Sequence, residues 1–146
     1  MLRMVVDTNV LVSAMLAPAG EPRSVLRLCL NGEVVPLVGN ALFSEYETVF
    51  ARSSLFANCL IDRCERKQLV DAFLACCEWI AISFLWRPNL ADEADNHPVE
   101  LAVAGNADWI VTANIRHLRS GEMQFPGLRI GPAGQFMKEW RKTWPS

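Results

Sequence analysis

The sequence predicts an α/β fold with a largely parallel sheet, and two observations support this. Short apolar runs such as Leu2–Val6 and Asp108–Thr112 suit strands that are buried on both faces of a parallel sheet. Segments with helical apolar spacing lie between these runs, and strands that alternate with helices are typical of parallel α/β proteins. No internal repeat, low-complexity tract or linker interrupts the alternation, so we expect one domain over residues 1–146.

Each element is bounded by a change of pattern or by Gly and Pro breakers. The predicted strands are Leu2–Val6, Val34–Val38, Trp79–Leu85, Asp108–Thr112 and Leu128–Ile130. The predicted helices are Val10–Leu16, Arg23–Asn31, Asn40–Phe50, Gln68–Cys77, Pro98–Asn106, a turn near Ile115 and a last helix from Pro132. Pro36 favours an edge strand or a strand end, because proline cannot donate to a ladder. Asn40 is expected to cap its helix, and Arg87–Asp95 is expected to be a loop.

Composition sets the class of protein. The chain has 146 residues, of which 51% are hydrophobic and 21% charged, as in ordinary globular proteins. No apolar run reaches the roughly 18 residues that a membrane span needs, and the apolar start ends at Asp7, too early for a signal peptide. Five cysteines form no C-x-x-C pair, which argues against a zinc or redox motif. We therefore expect a cytoplasmic protein without a membrane segment.

Charge argues mildly against a dedicated nucleic-acid binder. The net charge is −2, whereas such proteins usually carry a basic excess. However, clustered carboxylates also lower the net charge, and the divalent cations that they attract reverse the local field.

Polar side chains are predicted at the carboxyl ends of the strands, where open α/β sheets bind ligands. Asp7 ends the first strand, and Thr112 and Asn114 end the fourth. The acidic loop before the helix that leads into the fourth strand carries Asp92, Glu93 and Asp95, and Glu45 lies within the helix that follows the second strand. Converging carboxylates need a cation between them, and oxygen ligands favour Mg²⁺ or Mn²⁺ over Zn²⁺. Such a site suits phosphodiester hydrolysis.

Each of these residues also has a structural explanation. Asp7 and Asp95 could cap the helices that follow them, Glu45 and Asp92 could be solvated charges, and Asn114 could be a turn residue. An acid directly after a buried strand is costly without a partner, which favours function for Asp7. His97 and His117 show no ligand spacing, and we expect neither to bind a metal.

Four segments together resemble the PIN-domain family over nearly the whole chain. They are Val5–Leu11, Ser44–Val49, Asp92–Asn96 and Ile110–Asn114. The likeness is greatest to the bacterial PIN-family toxins of toxin–antitoxin systems, relatives of VapC. The resemblance implies a three-layer, Rossmann-like α/β/α sandwich and a Mg²⁺- or Mn²⁺-dependent endoribonuclease. It also implies a homodimer that is inhibited by a small antitoxin protein.

The resemblance also assigns roles to residues. Asp7, Glu45 and Asp95 match the metal-binding acids of the family, and Asn9 and Thr112 match supporting polar positions, with Asp92 as a further supporting acid. Many PIN domains have an aspartate where this chain has Asn114, and Arg116 replaces a second acid. An asparagine supplies less charge, so a second metal should bind more weakly.

The sequence thus predicts a ribonuclease in which Asp7, Glu45 and Asp95 bind the metal, Asn114 assists, and a metal-activated water attacks the phosphorus of RNA. Arg116 is expected to hold a backbone phosphate. An alternative is a weakly active or inactive PIN module that binds RNA or a protein partner. A third, phosphoryl-transfer hypothesis is disfavoured, because Asn9 stands where a haloacid-dehalogenase-type site has an aspartate.

Overall fold

The computed structural model describes residues 1–17, 19–52, 56–57, 62–81, 96–113 and 127–143. The strands in these ranges are β1 (Arg3–Val6), β2 (Val35–Val38), β3 (Glu78–Trp79), β4 (Trp109–Val111) and β5 (Arg129–Gly131). The helices are α1 (Thr8–Leu16), α2 (Glu21–Leu30), α3 (Asn40–Phe50), α4 (Arg63–Cys76), α5 (Asn96–Ala104) and α6 (Ala133–Thr143).

The five strands form one sheet with the order β3-β2-β1-β4-β5. Every pair of neighbouring strands is parallel, so the predicted α/β class is confirmed. The chain moves from β1 to β3 in one direction and then returns to place β4 on the other side of β1. The strand order therefore reverses between β1 and β4, and the carboxyl ends of these two strands flank the switch point at which α/β sheets bind ligands.

Helices cover both faces of the sheet, which confirms the predicted sandwich. Crossovers between parallel strands are right-handed, so α1, α2 and α4 share one face of the sheet and α5, on the way back to β4, lies on the other. Helix α3 contacts both α1 and α5. Helix α2 packs against α1, α4 and α6, whereas α5 packs against β1, β2 and β4. Because the central strands are covered on both sides, Met4, Val5, Ile110 and Val111 are almost fully buried.

Of the two alternatives predicted for Pro36, the edge strand was wrong, because β2 lies inside the sheet between β1 and β3. The strand end is confirmed, because Pro36 is the second residue of β2. The Val35 N–H donates to the Leu2 carbonyl beside β1, and successive residues of a strand face opposite neighbours. The nitrogen of Pro36 therefore faces β3. The pairing with β3 begins only at Leu37, opposite Glu78, so the missing proline N–H removes no ladder hydrogen bond.

Helix α3 begins at Asn40 as predicted but with a different cap. Helices α1, α2 and α5 begin two residues earlier than predicted, and α4 begins five residues earlier. Gly39, not Asn40, is the N-cap of α3, and it makes no side-chain cap hydrogen bond. Asn40 is the first helical residue. Helix α4 begins at Arg63 rather than Gln68, because the Asp62 carboxylate accepts a hydrogen bond from the Glu65 N–H at 2.8 Å and caps the helix.

Some predicted elements fall partly or wholly outside the described residues. The predicted strand Trp79–Leu85 is described as far as residue 81, and only Glu78–Trp79 of that region pair with the sheet. The loop Arg87–Asp95 and the helical turn near Ile115 lie outside the described ranges. In the described part of the chain, no helix has both the length and the apolar composition to cross a bilayer.

Candidate functional site

Asp7 occupies the switch point of the sheet and also caps a helix. It follows the last residue of β1, and its N–H donates to the Val111 carbonyl at 3.0 Å, which continues the β1–β4 ladder by one step. Its Oδ1 accepts a hydrogen bond from the Thr8 N–H at 2.9 Å, so the expected capping role is real. The cap uses only one carboxylate oxygen, which leaves Oδ2 for other contacts.

The second oxygen of Asp7 is held by two side chains. Asp7 Oδ2 accepts from the Thr112 hydroxyl at 2.6 Å and from Asn9 Nδ2 at 3.1 Å. Asn9 in turn accepts from the Ala113 N–H at 3.1 Å through its Oδ1. Asn9 and Thr112 therefore join the start of α1 to the end of β4 and fix the orientation of the Asp7 carboxylate.

Helix α3 brings Glu45 to the same edge of the sheet through Tyr46, the only tyrosine in the chain. Tyr46 is buried, and its hydroxyl donates to the carbonyl of Val6, the last residue of β1. Burial raises the pKa of Tyr46 well above its ordinary value, and the nearby charges of Asp7 and Glu45 act in the same direction. The neutral phenol thus anchors α3 on β1 and places Glu45 near Asp7.

Glu45 makes a hydrogen bond that the sequence did not reveal. His97, in the first turn of α5, lies with Nε2 at 2.7 Å from Glu45 Oε2. The side chain of Glu45 is 38% exposed and that of His97 is 19% exposed. The hydrogen bond from His97 lowers the pKa of Glu45 and outweighs the opposing effect of partial burial, while Thr8 and the charge of His97 act in the same direction as the hydrogen bond. Glu45 is therefore held in its carboxylate form.

Thr8 links the two carboxylates. Its N–H binds Asp7, and its hydroxyl lies close enough to Glu45 to lower the pKa of that residue. The hydroxyl oxygen is nevertheless buried and makes no hydrogen bond of normal geometry within the described ranges. A buried polar atom without a partner is costly. The Thr8 hydroxyl lies beside the carboxylates of Asp7 and Glu45, so its oxygen is available to bind a cation.

These groups fit a divalent cation of the Mg²⁺ or Mn²⁺ type. Asp7 and Glu45 supply carboxylate oxygens and Thr8 an unpartnered hydroxyl, which are the hard oxygen donors that such ions prefer. In the described ranges, no three histidine, cysteine, aspartate or glutamate side chains come together closely enough to hold a metal ion. The third predicted acid, Asp95, lies outside those ranges.

The structure thus brings Asn9 and Thr112 together with Asp7. Thr8 and Tyr46 connect Glu45 to the same edge of the sheet. Asp92, Asp95, Asn114 and Arg116 lie outside the described residues. Sequence reasoning gave no role to His97, because its partner is 52 residues away. Tyr46 could have been found, since a buried tyrosine usually needs a partner for its hydroxyl.

The fold and the site define an α/β sandwich protein with carboxylates at the switch point of a parallel sheet. The PIN domain family model matches residues 3–116, and the chain belongs to this family. The predicted family resemblance is therefore confirmed. PIN domains are generally nucleases and generally use divalent metal ions.

Among solved structures, the chain is similar to a chain of the VapBC2 complex from Rickettsia felis, crystallised with a DNA fragment from their promoter. The TM-score is 0.57 at 17% sequence identity, and the match covers 88% of this chain and 97% of that chain. At this identity the similarity establishes the fold. No curated protein matches the sequence.

Proposed function

We propose that this protein is a metal-dependent endoribonuclease and the toxin of a toxin–antitoxin pair. The observation that carries the proposal is the Asp7 carboxylate, which lies at the switch point of a PIN-domain sheet and accepts hydrogen bonds from Thr112 and Asn9. The helix cap uses only Oδ1 of Asp7. The two hydrogen bonds to Oδ2 are therefore not needed for capping, and they fix the acid at an edge of the sheet where ligands bind.

Asp7 and Glu45 would hold the cation, together with Asp95. When bound, Mg²⁺ or Mn²⁺ would offset the charge of the phosphodiester and favour deprotonation of the attacking water. The residues of the chain prepare the site for this chemistry. Thr112 and Asn9 fix the orientation of the Asp7 carboxylate by two hydrogen bonds, and the lowered pKa of Glu45 keeps that residue ready to bind a cation at neutral pH.

The remaining roles form part of the same proposal. Asn114 would assist as a neutral oxygen donor, Asp92 would support the acids, and Arg116 would hold an RNA phosphate. The whole chain, residues 1–146, would act as one PIN domain.

We further propose an antitoxin protein as partner and a homodimer as the assembly. The antitoxin partner is supported by the similar solved structure, which is part of a VapBC2 complex. The cytoplasm is the proposed compartment, since the four described cysteines are free thiols, as is usual where the environment is reducing. Light scattering after size-exclusion chromatography will test the dimer.

A cleavage assay on a mixed RNA pool tests the activity. Wild type and Asp7→Asn are compared with Mg²⁺, with Mn²⁺ and with EDTA. We expect cleavage that requires metal and that disappears in Asp7→Asn, because asparagine keeps a cap acceptor but loses the charge. The matched control is Asp62→Asn, which makes the same change at the N-cap of α4 and should leave cleavage intact.

The assay also separates this proposal from a PIN module that binds without cutting. Unchanged cleavage by a folded Asp7→Asn protein would contradict the assigned mechanism. Absence of cleavage by a folded, antitoxin-free wild type would favour the binding module, which the sequence suggests through Asn114. Restoring an acid with Asn114→Asp would then be the next variant to assay.

A further inference from the structure

We propose that His97 is a positioning residue that orients the Glu45 carboxylate for metal binding. The inference rests on the proposed function, because it assigns a role to a side chain that touches one of the proposed metal ligands.

The contact is specific and lies between two packed elements. His97 Nε2 and Glu45 Oε2 are 2.7 Å apart, and a carboxylate can only accept, so Nε2 carries the proton of this bond. The two residues lie on α5 and α3, which pack against each other, and α5 also packs against β1 and β4. The ring is therefore held by rigid structure at the edge of the sheet where Asp7 lies.

The bond engages one oxygen of Glu45. His97 binds Oε2, and the Thr8 hydroxyl lies beside the same carboxylate. A carboxylate that can rotate freely loses rotamer entropy when it binds an ion, and a partner on one oxygen removes part of that cost. Hydrogen bonds to metal-binding carboxylates serve this purpose in many metal sites.

His97 is placed to act on Glu45 rather than on the ion. Its Nε2 is already used by Glu45, and its Nδ1 is buried and has no hydrogen-bond partner among the described residues, so neither nitrogen presents an exposed lone pair in this arrangement. Glutamine is a good replacement for this role, because its terminal amide can donate from about the position of Nε2 but binds cations of this type only weakly. Leucine fills similar space and cannot donate.

The test measures binding of Mn²⁺ alone to the full-length, metal-free protein by calorimetry, with thermal melts to establish folding. The variants are His97→Gln, His97→Leu, Glu45→Gln and the double variant Glu45→Gln with His97→Leu. Glu47→Gln, on the same helix but exposed, is the matched control. We expect His97→Leu to weaken Mn²⁺ binding about 10- to 100-fold, and His97→Gln and Glu47→Gln to remain close to wild type.

The double variant shows whether His97 acts through Glu45. In the Glu45→Gln background, His97→Leu should cause no further loss of affinity, because the group that it positions is already changed. An additive loss would overturn the proposal, as would wild-type affinity in His97→Leu. A loss in His97→Gln as large as in His97→Leu would make His97 a direct ligand instead.

The outcomes for the two proposals can be told apart. If Mn²⁺ binding follows the expected pattern but RNA is not cut, the positioning role stands and the nuclease proposal fails. If RNA is cut with metal but His97→Leu binds Mn²⁺ like wild type, only the positioning role fails. A folded wild type that binds no Mn²⁺ contradicts both.

Discussion

Thr112 donates its hydroxyl hydrogen to Asp7 Oδ2 at 2.6 Å, although the two residues are 105 positions apart. The bond joins the carboxyl ends of the two strands between which the strand order reverses. Thr112 is fully buried, so water cannot replace its hydroxyl. The geometry of the acidic site is therefore coupled to the stability of the sheet at its centre.

The coupling can be measured with Thr112→Val, which removes the hydroxyl and keeps the branched shape. We expect the free energy of unfolding of the metal-free protein to fall by about 1.5 kcal/mol, the order of a hydrogen bond to a charged group. Urea denaturation followed by circular dichroism gives the value. The matched control is Thr48→Val, which makes the same change at an exposed position of α3 and should alter stability by less than about 0.5 kcal/mol. Equal losses in the two variants would contradict the assignment of the Thr112 bond.

Glu45 should make stability depend on pH in the acid range. Its folded-state pKa is lowered from the ordinary 4.5, chiefly by the hydrogen bond from His97. A lowered carboxyl pKa contributes stability that is present above the pKa of the unfolded chain and is lost as the pH falls through the folded-state value. We expect wild type to lose more stability than His97→Leu on acidification below about pH 4.5, as measured by urea denaturation in EDTA. Parallel pH profiles for the two proteins would show that the pair does not stabilise the carboxylate.

The cysteines should differ in reactivity. Burial, with a smaller effect of Cys76, raises the pKa of Cys77 to about 12, so at pH 8 only about one molecule in 10,000 carries the reactive thiolate. Cys64 and Cys76 are exposed. We expect iodoacetamide to label these two in the native protein and to leave Cys77 unmodified, as read by peptide mass spectrometry, with full labelling in urea. Rapid native labelling of Cys77 would contradict the packing of the segment between α4 and β3.

Gly105 should tolerate no side chain. A Cβ there would lie 2.6 Å from Leu37 Cδ1 and 3.2 Å from the Leu101 carbonyl oxygen, and Leu37 is itself fully buried. We expect Gly105→Ala to lower the free energy of unfolding by about 1 to 3 kcal/mol, as measured by thermal and urea denaturation. Gly134→Ala is the control, because a Cβ at this position in α6 meets nothing within 4 Å. That variant should gain about 0.5 kcal/mol, and a loss in both would point to a backbone effect instead.

Local pattern was enough to predict most of the fold. The run Leu2–Val6 indicated a strand buried on both faces, and β1 is the central strand of the sheet. The alternation of apolar runs and helical segments predicted the parallel α/β class, because a strand buried on both faces must be apolar throughout, whereas a helix needs an apolar stripe. The segments around Asp7, Glu45, Asp95 and Asn114 led to the PIN family, which the match over residues 3–116 confirms.

The edge-strand prediction for Pro36 and the predicted start of α4 were wrong where a contact with a neighbouring residue outweighed the local sequence pattern. Proline in a strand usually marks an edge, but the nitrogen of Pro36 faces β3 one residue before that pairing starts. The start of α4 was placed too late, because the hydrogen bond that the Glu65 N–H donates to Asp62 stabilises a first turn that has no apolar pattern.

By itself, the sequence determined the fold class and the placement of Asp7 and Thr112 at the ends of strands, because these follow from residue type and local spacing. Its motifs carried the resemblance to the family, which the match over residues 3–116 confirms. Only the tertiary structure decided that Thr112 and Asn9 share one oxygen of Asp7, and that His97 rather than solvent meets Glu45. The Thr112–Asp7 and His97–Glu45 contacts join residues 105 and 52 positions apart in the chain. Their formation depends on the strand order and on how α3 and α5 pack, and no local stretch of residues predicts either of these.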